Sequence, residues 1–538
     1  MSEYMSGGAL LRALAPELLL TSGALAMLVG TVWSPQSQRA GAAEGAERTS
    51  TMSRFAVVLC LLVGLVVVIA WGDGATGTAD QRLAGDGFRW AIDLVILLGT
   101  GMSLMLIDAE QHRSGAFSPE VPVLVLFAAV GMMILAAARD LMFVFLGVEL
   151  MSLAVYVLAG VNRRSGRGAE AAVKYFLLGA VSTGFLLYGI ALLYGATGST
   201  RLVDIGQWVS AHPPLSPLFI VGAALLLVGL AFKVAAAPFH LWTPDVYDGA
   251  PLPITAFMSA TVKTAAFAVF ARVMVEALGR ASAQWHTGLW WLAVATMVVG
   301  NVFALSQRNL VRMLAYSSIA HAGYLLVTLV VGGAAATTAL VFYMVSYTLA
   351  TMGTFGVLIA VNAGRDVAPT IDDIAGLWLV RPWLASAMAV FLLAFLGMPL
   401  VGGMGFFAKW YVLQAALQAN APQTILAVVL VLTSAVSAAY YLNVVGAMFM
   451  RPRTEGQPTP QLLPMGQSLV AFAAAVLLVL GVYPTPVVRM AKRALTSPIT
   501  RSAPIEPAPR GPRLQAAVLT VPSTDAGVAM SRQPTTPR

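Results

Sequence analysis

Long apolar runs separated by short polar stretches fill most of the chain. A helix needs about 20 apolar residues to cross a hydrocarbon core of about 30 Å, and runs of that length occur about fourteen times. They begin near residues 9, 55, 90, 121, 141, 171, 216, 252, 288, 311, 334, 383, 424 and 466. The pattern predicts an all-α polytopic membrane protein with about 14 transmembrane helices.

Two of these runs contain residues that break a helix near the middle of the membrane. One is "KVAAAPFHLW", interrupted at Pro238, and the other is "FLGMPLVGGMGFFAKW", interrupted by Pro399, Gly402, Gly403 and Gly405. Discontinuous helices at matching positions in two halves are typical of transporters built from inverted repeats. The breaks lie about five spans apart, which predicts two inverted five-helix repeats. Unwound backbone at this depth must face protein or a wet cavity.

The breaks and the composition divide the chain into five predicted segments. These are an N-terminal three-helix segment at 1–120, a first five-helix repeat at 121–280, a second inverted repeat at 281–450, a last transmembrane helix at 451–495 and a tail at 496–538. The tail is rich in Pro, Ser, Thr and Arg and cannot bury a core. We therefore expect it to be disordered.

Composition supports the membrane assignment and excludes several kinds of site. The chain is 58% hydrophobic and 10% charged, whereas a soluble domain carries about 25% charge. The formal net charge is +8, and the arginines lie in short gaps and in the tail, which favours membrane orientation over nucleic-acid binding. The lone cysteine, Cys60, excludes a disulfide and a cysteine-ligated Fe–S cluster within this chain.

The positive residues in the gaps predict an orientation. One set of alternate gaps is rich in arginine: Arg39, Arg48, Arg54, Arg113, Arg163, Arg164, Arg167, Arg308, Arg312, Arg365, Arg381, Arg451 and Arg453. The other set is poorer: Arg82, Arg89, Arg139, Arg201 and Arg280. The positive-inside rule puts the first set in the cytoplasm and both termini in the periplasm. The basic residues after the last span contradict this assignment there: Arg489, Lys492 and Arg493.

Charged residues stand in the middle of several predicted spans. Glu149, Lys233, Lys263 and Lys409 are central or follow a break, and His321 is central in "RMLAYSSIAHAGYLLVTLVV". A charge at a helix centre costs about 2.5–3.5 kcal/mol on insertion scales, so four facing lipid would cost about 10–14 kcal/mol. These side chains are therefore expected to face each other or water.

Each of these residues also has a structural interpretation. Glu149 and Lys233 would form an inert ion pair, Lys263 would bind a backbone carbonyl at a helix break, and His321 would be a hydrogen-bonded core histidine. A single ion pair does not explain lysines on three helices in both halves. Burial and neighbouring charges change the proton affinity of lysine strongly, so a row of buried lysines bridged by water favours a proton relay.

Two further candidates lie close to the membrane surface. His240 follows the first break and would either join the relay or cap carbonyls that the break frees. Lys174 follows Glu170 by four residues, which is the spacing of a helical ion pair, and is close enough to the surface to snorkel. The remaining polar residues near the breaks are interpreted as solvated or anchoring loop residues: Asp245, Asp248, Arg139 and Asp140.

Four stretches together resemble a known family. They are "FKVAAAPFHLWTPDVYDGAP", "FLGVELMSLAVYVLAG", "NLVRMLAYSSIAHAGYLL" and "GFFAKW", and they resemble the antiporter-like membrane subunits of respiratory complex I, the NADH:quinone oxidoreductase. The resemblance covers roughly residues 10–490. It implies fourteen core helices in two inverted five-helix repeats, with a broken helix in each.

The resemblance also implies roles for individual residues. Glu149 matches the family's glutamate in the fifth helix, Lys233 the lysine that pairs with it in the broken seventh helix, and Lys174 the lysine of the sixth. Further along, Lys263 and His321 match central positions of the eighth and tenth helices. Lys409 matches the terminal proton-handling position in the broken twelfth helix. Sibling subunits usually carry histidine at the position of Lys263, and one carries glutamate at that of Lys409.

The function that the resemblance implies is proton translocation outward across a bacterial inner membrane. Quinone reduction in partner subunits would drive it, with FMN, Fe–S clusters and quinone bound by those partners and none by this chain. Its partners would be the other membrane-arm subunits and the lipid bilayer. A subunit of a multisubunit cation/proton antiporter, a structural spacer and a self-sufficient secondary transporter remain alternatives.

Overall fold

The computed structural model describes residues 11, 13–33, 42–72, 82–453, 457–461 and 463–494. Within these ranges the regular structure is helical, as the spacing of the apolar runs predicts. The predicted disordered tail lies outside the described residues.

The helices are numbered here in chain order. They are α1 (Ala15–Trp33), α2 (Ala42–Gly72), α3 (Gly87–Ser114), α4 (Val121–Ala137), α5 (Leu141–Ala159), α6 (Gly166–Thr197), α7 (Leu202–Ala211), α8 (Pro217–Lys233), α9 (Trp242–Gly249), α10 (Leu252–Ala277), α11 (Ser282–Leu305), α12 (Leu310–Val331), α13 (Gly333–Asn362), α14 (Leu377–Val380), α15 (Pro382–Leu396), α16 (Met404–Leu417), α17 (Thr424–Met450), α18 (Pro464–Val482) and α19 (Thr485–Arg493).

Ten of the described helices are long and apolar enough to cross a membrane. The shorter helices α1, α4, α8 and α15 are also apolar, and α8 and α15 are the first halves of the two interrupted spans. The polytopic all-helical fold class is therefore confirmed, while the count of fourteen spans stays a prediction.

Both predicted breaks are present. In the first, α8 ends at Lys233, and the backbone runs through Ala235 at a φ of 60° before α9 begins. In the second, α15 ends at a left-handed Gly397 with a φ of 78°. Gly403, with a φ of 52°, precedes α16, and a Cβ there would clash with the carbonyl oxygen of Leu477. Glycine is therefore required where α16 passes α18.

Two isolated antiparallel bridges lie at corresponding positions of the two predicted repeats. Asp140, the N-cap of α5, pairs with Arg201, and Asn309, the N-cap of α12, pairs with Thr370. Both residues of the second bridge lie the same number of positions after those of the first: 309 follows 140 and 370 follows 201 by an equal distance in sequence. In both caps the side-chain oxygen accepts hydrogen bonds from the first turn of the helix, because Asp and Asn suit that position. The boundaries 121–280 and 281–450 of the repeats stay predictions.

The core lies around α10 and α13, whose apolar stretches are completely buried. By contrast, α2 and α18 expose most of theirs, with side chains such as Leu61 and Val482 on the surface. Apolar side chains on a helix surface are what a lipid environment requires, because lipid does not penalise their exposure. The buried polar residues described below lie among the central helices.

Several charged residues differ from their predicted placement. Arg89 and Arg139, assigned to loops by sequence, are buried with carboxylate partners, because α3 and α5 begin inside the packed end of the bundle. Asp245 and Asp248 lie within α9 rather than in a loop and bind basic residues of α6 and α12. Asp140 caps α5 as described, so it has a structural role of its own.

Candidate functional site

Lys233, at the end of α8, points at α5. Its Nζ atom donates a hydrogen bond to Ser152 Oγ at 2.8 Å and lies 3.4 Å from the Tyr156 hydroxyl. The ion pair with Glu149 that the resemblance implies is not formed within 4 Å, and Glu149 is only half-buried. Ser152 lies almost one helical turn beyond Glu149, and the Lys233 amine contacts its hydroxyl group instead of the Glu149 carboxylate.

Aromatic side chains hold the first break beside this lysine. Trp242 of α9 stacks on Tyr175 of α6 at 4.5 Å between ring centres, and Tyr175 packs edge-on against Tyr156. His240, between the break and α9, is buried, and its Nδ1 atom has no hydrogen-bond partner within the described ranges. The contacts found among the described residues do not join His240 to a lysine, so its role in the relay stays a prediction.

Lys263 lies in α10 directly after a π-helical turn, Met258–Val262. Its Nζ atom donates to the backbone oxygen of Ser318 at 2.7 Å and also contacts Ser318 Oγ. π-helical turns occur often at functional sites. The sequence predicts that Lys263 could bind a backbone carbonyl at a helix break. The carbonyl that it binds belongs instead to Ser318, in the middle of the continuous helix α12.

Hydroxyl groups extend this cluster. Ser259 Oγ lies 3.4 Å from Ser318 Oγ and 3.0 Å from the Tyr347 hydroxyl of α13. The Lys263 Nζ atom is 5.7 Å from the centre of the Tyr347 ring. The buried amine is therefore surrounded by groups that both donate and accept hydrogen bonds.

His321 lies one turn further along α12. Its Nδ1 atom is 2.6 Å from the Tyr343 hydroxyl, and its Nε2 atom is 3.2 Å from the Tyr441 hydroxyl. The ring centre of Tyr347 lies 5.1 Å from that of His321, so the histidine adjoins the Lys263 cluster. Since each ring nitrogen faces a hydroxyl, either nitrogen can carry the proton.

Lys409 lies in α16 beside the second break. Its Nζ atom donates to the backbone oxygen of Leu396, at the end of α15, at 3.0 Å and to Ser434 Oγ at 3.1 Å. It also sits 4.7 Å from the centre of the Tyr324 ring, and the Tyr324 hydroxyl accepts from Asn301 at 3.0 Å. A carbonyl at the helix terminus, without an intrahelical donor, thus holds the lysine.

The structure arranges the four candidate lysines and His321 in three places. Lys263, His321 and Lys409 share one band of hydroxyls and aromatic rings across α10, α12, α13, α16 and α17, whereas the contacts of Lys233 stay within α5 and α8. Lys174 is 42% exposed and binds Glu170 at 2.7 Å and Asp245 at 3.0 Å. Its geometry is that of a surface ion pair.

Sequence reasoning missed the polar residues that surround the lysines: Ser152, Tyr156, Ser259, Asn301, Ser318, Tyr324, Tyr343, Tyr347, Ser434 and Tyr441. Their signal is weak, because single hydroxyls are common in membrane helices. The spacing of Tyr343 and Tyr347, four residues apart on α13, does place both on one helix face.

The partners of Lys233, Lys263 and Lys409 are hydroxyls, backbone carbonyls and aromatic rings, and no carboxylate of the described residues lies within 4 Å of them. A lysine held by such neutral groups can lose its proton without leaving a buried, unpaired carboxylate behind. The arrangement is therefore suited to groups that change their protonation state.

Comparison with known proteins shows extensive similarity. Residues 138–435 match a family described as "NADH:quinone oxidoreductase/Mrp antiporter, TM". A protein of Gemmatimonas aurantiaca named NADH-quinone oxidoreductase subunit N is 74% identical over 518 residues, covering 96% of this chain and 99% of that protein. The subunit N of Trichlorobacter lovleyi is 41% identical over 487 residues, covering 90% and 97%.

Solved structures agree with the sequence relatives. A chain of respiratory complex I from Thermus thermophilus with bound aureothin is 37% identical, with a TM-score of 0.72, covering 89% of this chain and 99% of that one. A chain of the Mrp complex from Dietzia sp. DQ12-45-1b has a TM-score of 0.77 at 20% identity, covering 92% and 98%. The second match shows the fold alone.

Proposed function

The chain belongs to the NADH:quinone oxidoreductase/Mrp antiporter family as an antiporter-like multi-pass membrane subunit, and we propose that it moves protons outward across a bacterial inner membrane. The energy comes from quinone reduction in partner subunits of an NADH:quinone oxidoreductase. The observation that carries the proposal is the set of three buried lysines whose partners are neutral.

The proton path runs through the buried row. A proton enters from the cytoplasmic side toward Lys233, Lys263 and His321 relay it, and Lys409 releases it. Two sets of hydroxyls, one around Ser259 and one around Tyr441, support the second part of this path, since hydroxyls pass protons by accepting one and donating another. The Tyr347 and His321 rings, 5.1 Å apart, join the two sets. Glu149 acts from beyond contact distance, by changing the electrostatic potential at Lys233.

The wider assembly follows from the same proposal. Other membrane-arm subunits cover part of the exposed apolar surface, and partner subunits hold FMN, the Fe–S clusters and the quinone. The translocase activity therefore belongs to this chain only as part of that assembly. The arginine-rich gaps face the cytoplasm and both termini face the periplasm.

A second candidate is a subunit of a multisubunit cation/proton antiporter, because the fold also matches a chain of the Mrp complex. Affinity purification of the tagged chain from its own membranes separates the two functions. We expect flavin- and Fe–S-containing subunits to co-purify. Their absence, together with sodium/proton exchange in vesicles without NADH, would favour the antiporter.

Substitution at Lys263 tests the relay. The complex is reconstituted in proteoliposomes, and the NADH-driven membrane potential is measured with a voltage-sensitive dye. Lys263→His keeps a titratable group and is expected to retain the potential, while Lys263→Met is expected to lose it, with both complexes assembled. Equal potentials in the Met variant and the wild type would refute the relay through Lys263.

A further inference from the structure

Buried charges also occur in two groups away from the lysine row, where the N-terminal end of α3 packs. The Arg272 group consists of Asp86, Arg139, Arg272 and Glu276, and the Arg89 group consists of Glu17, Arg89 and Asp93. The two groups differ in their balance of charge. That difference carries the inference.

The Arg272 group is balanced. Arg272 donates to Asp86 Oδ2 and to Glu276 Oε1, each at 2.9 Å, and to the backbone oxygen of Ala136 at 3.0 Å. Arg139 donates to the other oxygen of Glu276 at 2.9 Å. Two guanidinium groups thus face two carboxylates, so the group needs no further charge.

The Arg89 group has one guanidinium for two carboxyl groups. Arg89 Nη2 lies 2.5 Å from Glu17 Oε1, but Arg89 Nε lies 3.4 Å from Asp93 Oδ2. Its remaining hydrogen bonds go to the backbone oxygens of Ala84 and Ala13, each at 2.8 Å. Glu17 therefore has the strong ion pair, and Asp93 has a weak contact.

Asp93 is completely buried, and its Oδ1 atom has no hydrogen-bond partner in the part of the chain that the structure describes; Glu17 Oε2 is buried without a partner there as well. The charged groups that act most strongly on Asp93 include Arg89, Glu17 and Asp86, and Asp86 is already bound by Arg272. On the same end of α3, the backbone of Arg493 lies against Gly87. A second ionised carboxylate here would be a buried anion without compensation, which is strongly unfavourable.

We propose that Glu17 and Asp93 form a binding site for a single proton, which they share through Arg89. The distances of Arg89 assign the proton to Asp93 in this proposal, with Arg89 neutralising Glu17. If Arg89 turns to Asp93, the O–H bond of Asp93 breaks and one forms on Glu17, so the net charge stays at zero. The site lies on α1 and α3, outside the lysine row, and extends the proton chemistry beyond the proposed relay.

A metal ion does not fit this site. Hard cations need about six to eight oxygen ligands, and the group offers two free carboxyl oxygens beside a guanidinium that repels a cation. A proton needs only one oxygen. The chemistry of the site therefore favours the proton.

Infrared difference spectroscopy tests the site by comparing the spectra of the purified, assembled wild-type complex and its variants. A carboxylic acid that holds its proton shows a C=O stretch distinct from carboxylate bands. We expect this band in the wild type, a shift of it when aspartate is ¹³C-labelled, and its loss in Asp93→Asn. Glu17→Gln should also remove it, because Arg89 then pairs with Asp93, whose carboxyl group becomes ionised.

Asp373→Asn is the control, since Asp373 binds Arg365 and Thr370 and belongs to neither group, and it should leave the band in place. Absence of a ¹³C-sensitive band in the wild type would overturn the proposal without any substitution. A band that survives in Asp93→Asn, or one that persists unchanged in Glu17→Gln, would also overturn it. These readouts do not depend on proton pumping, so they stand apart from the proposed function.

Discussion

The helix α10 carries two buried basic residues, one with neutral partners and one with charged partners. Near its middle, Lys263 binds a serine carbonyl and hydroxyl, and near its end, Arg272 binds two carboxylates. Arginine keeps its charge in proteins and forms fixed, forked hydrogen bonds, whereas buried lysine changes its protonation state readily. The choice of residue and partner therefore distinguishes a fixed charge that joins helices from a charge that can move.

The largest effect, a loss of stability, is expected when the fixed charge of Arg272 is removed. Arg272→Ala leaves Asp86 and Glu276 without their strongest partner, and breaking a buried ion pair costs about 3–5 kcal/mol. The amount of assembled complex and its thermal unfolding temperature should both fall. Arg280→Ala is the control, because Arg280 is exposed and its side chain binds the neutral Ser210 hydroxyl. Similar stability of the two variants would contradict the comparison.

The next effect is expected at the mobile charge. Lys409→Ala removes a titratable group whose partners are neutral, so the complex should assemble normally. Coupled quinone reduction should fall about tenfold or more, since a positioned proton-transfer group is worth about 10²-fold or more. Lys492→Ala, at an exposed lysine of α19, should leave the rate unchanged. A Lys409→Ala variant with full activity would remove this residue from the path.

A smaller effect is expected at the glycine that positions Lys409. Gly397 has a φ of 78°, and a Cβ there would lie 2.9 Å from Lys409 Cδ. Gly397→Ala costs about 1–2 kcal/mol of backbone strain and displaces the lysine. Coupled activity should fall several-fold, measured against Gly288→Ala, where nothing lies within 4 Å of the added methyl group. Equal rates would show that the lysine tolerates the displacement.

The smallest effect is expected at Lys174. Its ion pairs with Glu170 and Asp245 are partly exposed, and such pairs contribute about 0–1 kcal/mol. Lys174→Ala should lower the free energy of unfolding by about 1 kcal/mol or less, and it should change the rate of quinone reduction by less than about twofold. An effect as large as that of Lys409→Ala would place Lys174 in the relay instead of on the surface.

The sequence predicts the helices and breaks well, because apolar runs, Pro238, and the glycines before Lys409 determine them locally. It also identifies the buried lysines, since a charge inside an apolar run is a strong signal. It does not predict their partners: Ser152 replaces Glu149 at Lys233, and Ser318 comes from another helix. Contacts between distant helices depend on rotation and packing, which a pattern along one chain does not contain.

Two buried arginines also show that the sequence pattern does not reveal contacts between distant helices. Arg89 and Arg139 lie in stretches that resemble polar gaps, yet both are buried because carboxylates from other helices reach them. Positive-inside counting assumes exposed residues, so it treats these as topological signals. Their partners Glu17 and Glu276 lie far from them in sequence, which is why the sequence alone missed both groups.

The most direct test of the central claim concerns Lys233. NADH-driven proton uptake is measured in inverted membrane vesicles from the wild type and from Lys233→Ala, with assembly of the complex checked in the same preparation. The account predicts loss of uptake with an intact complex, because the buried amine that accepts the entering proton is gone. Unchanged uptake with the variant assembled would contradict it and would make the lysine row a structural feature of the membrane arm.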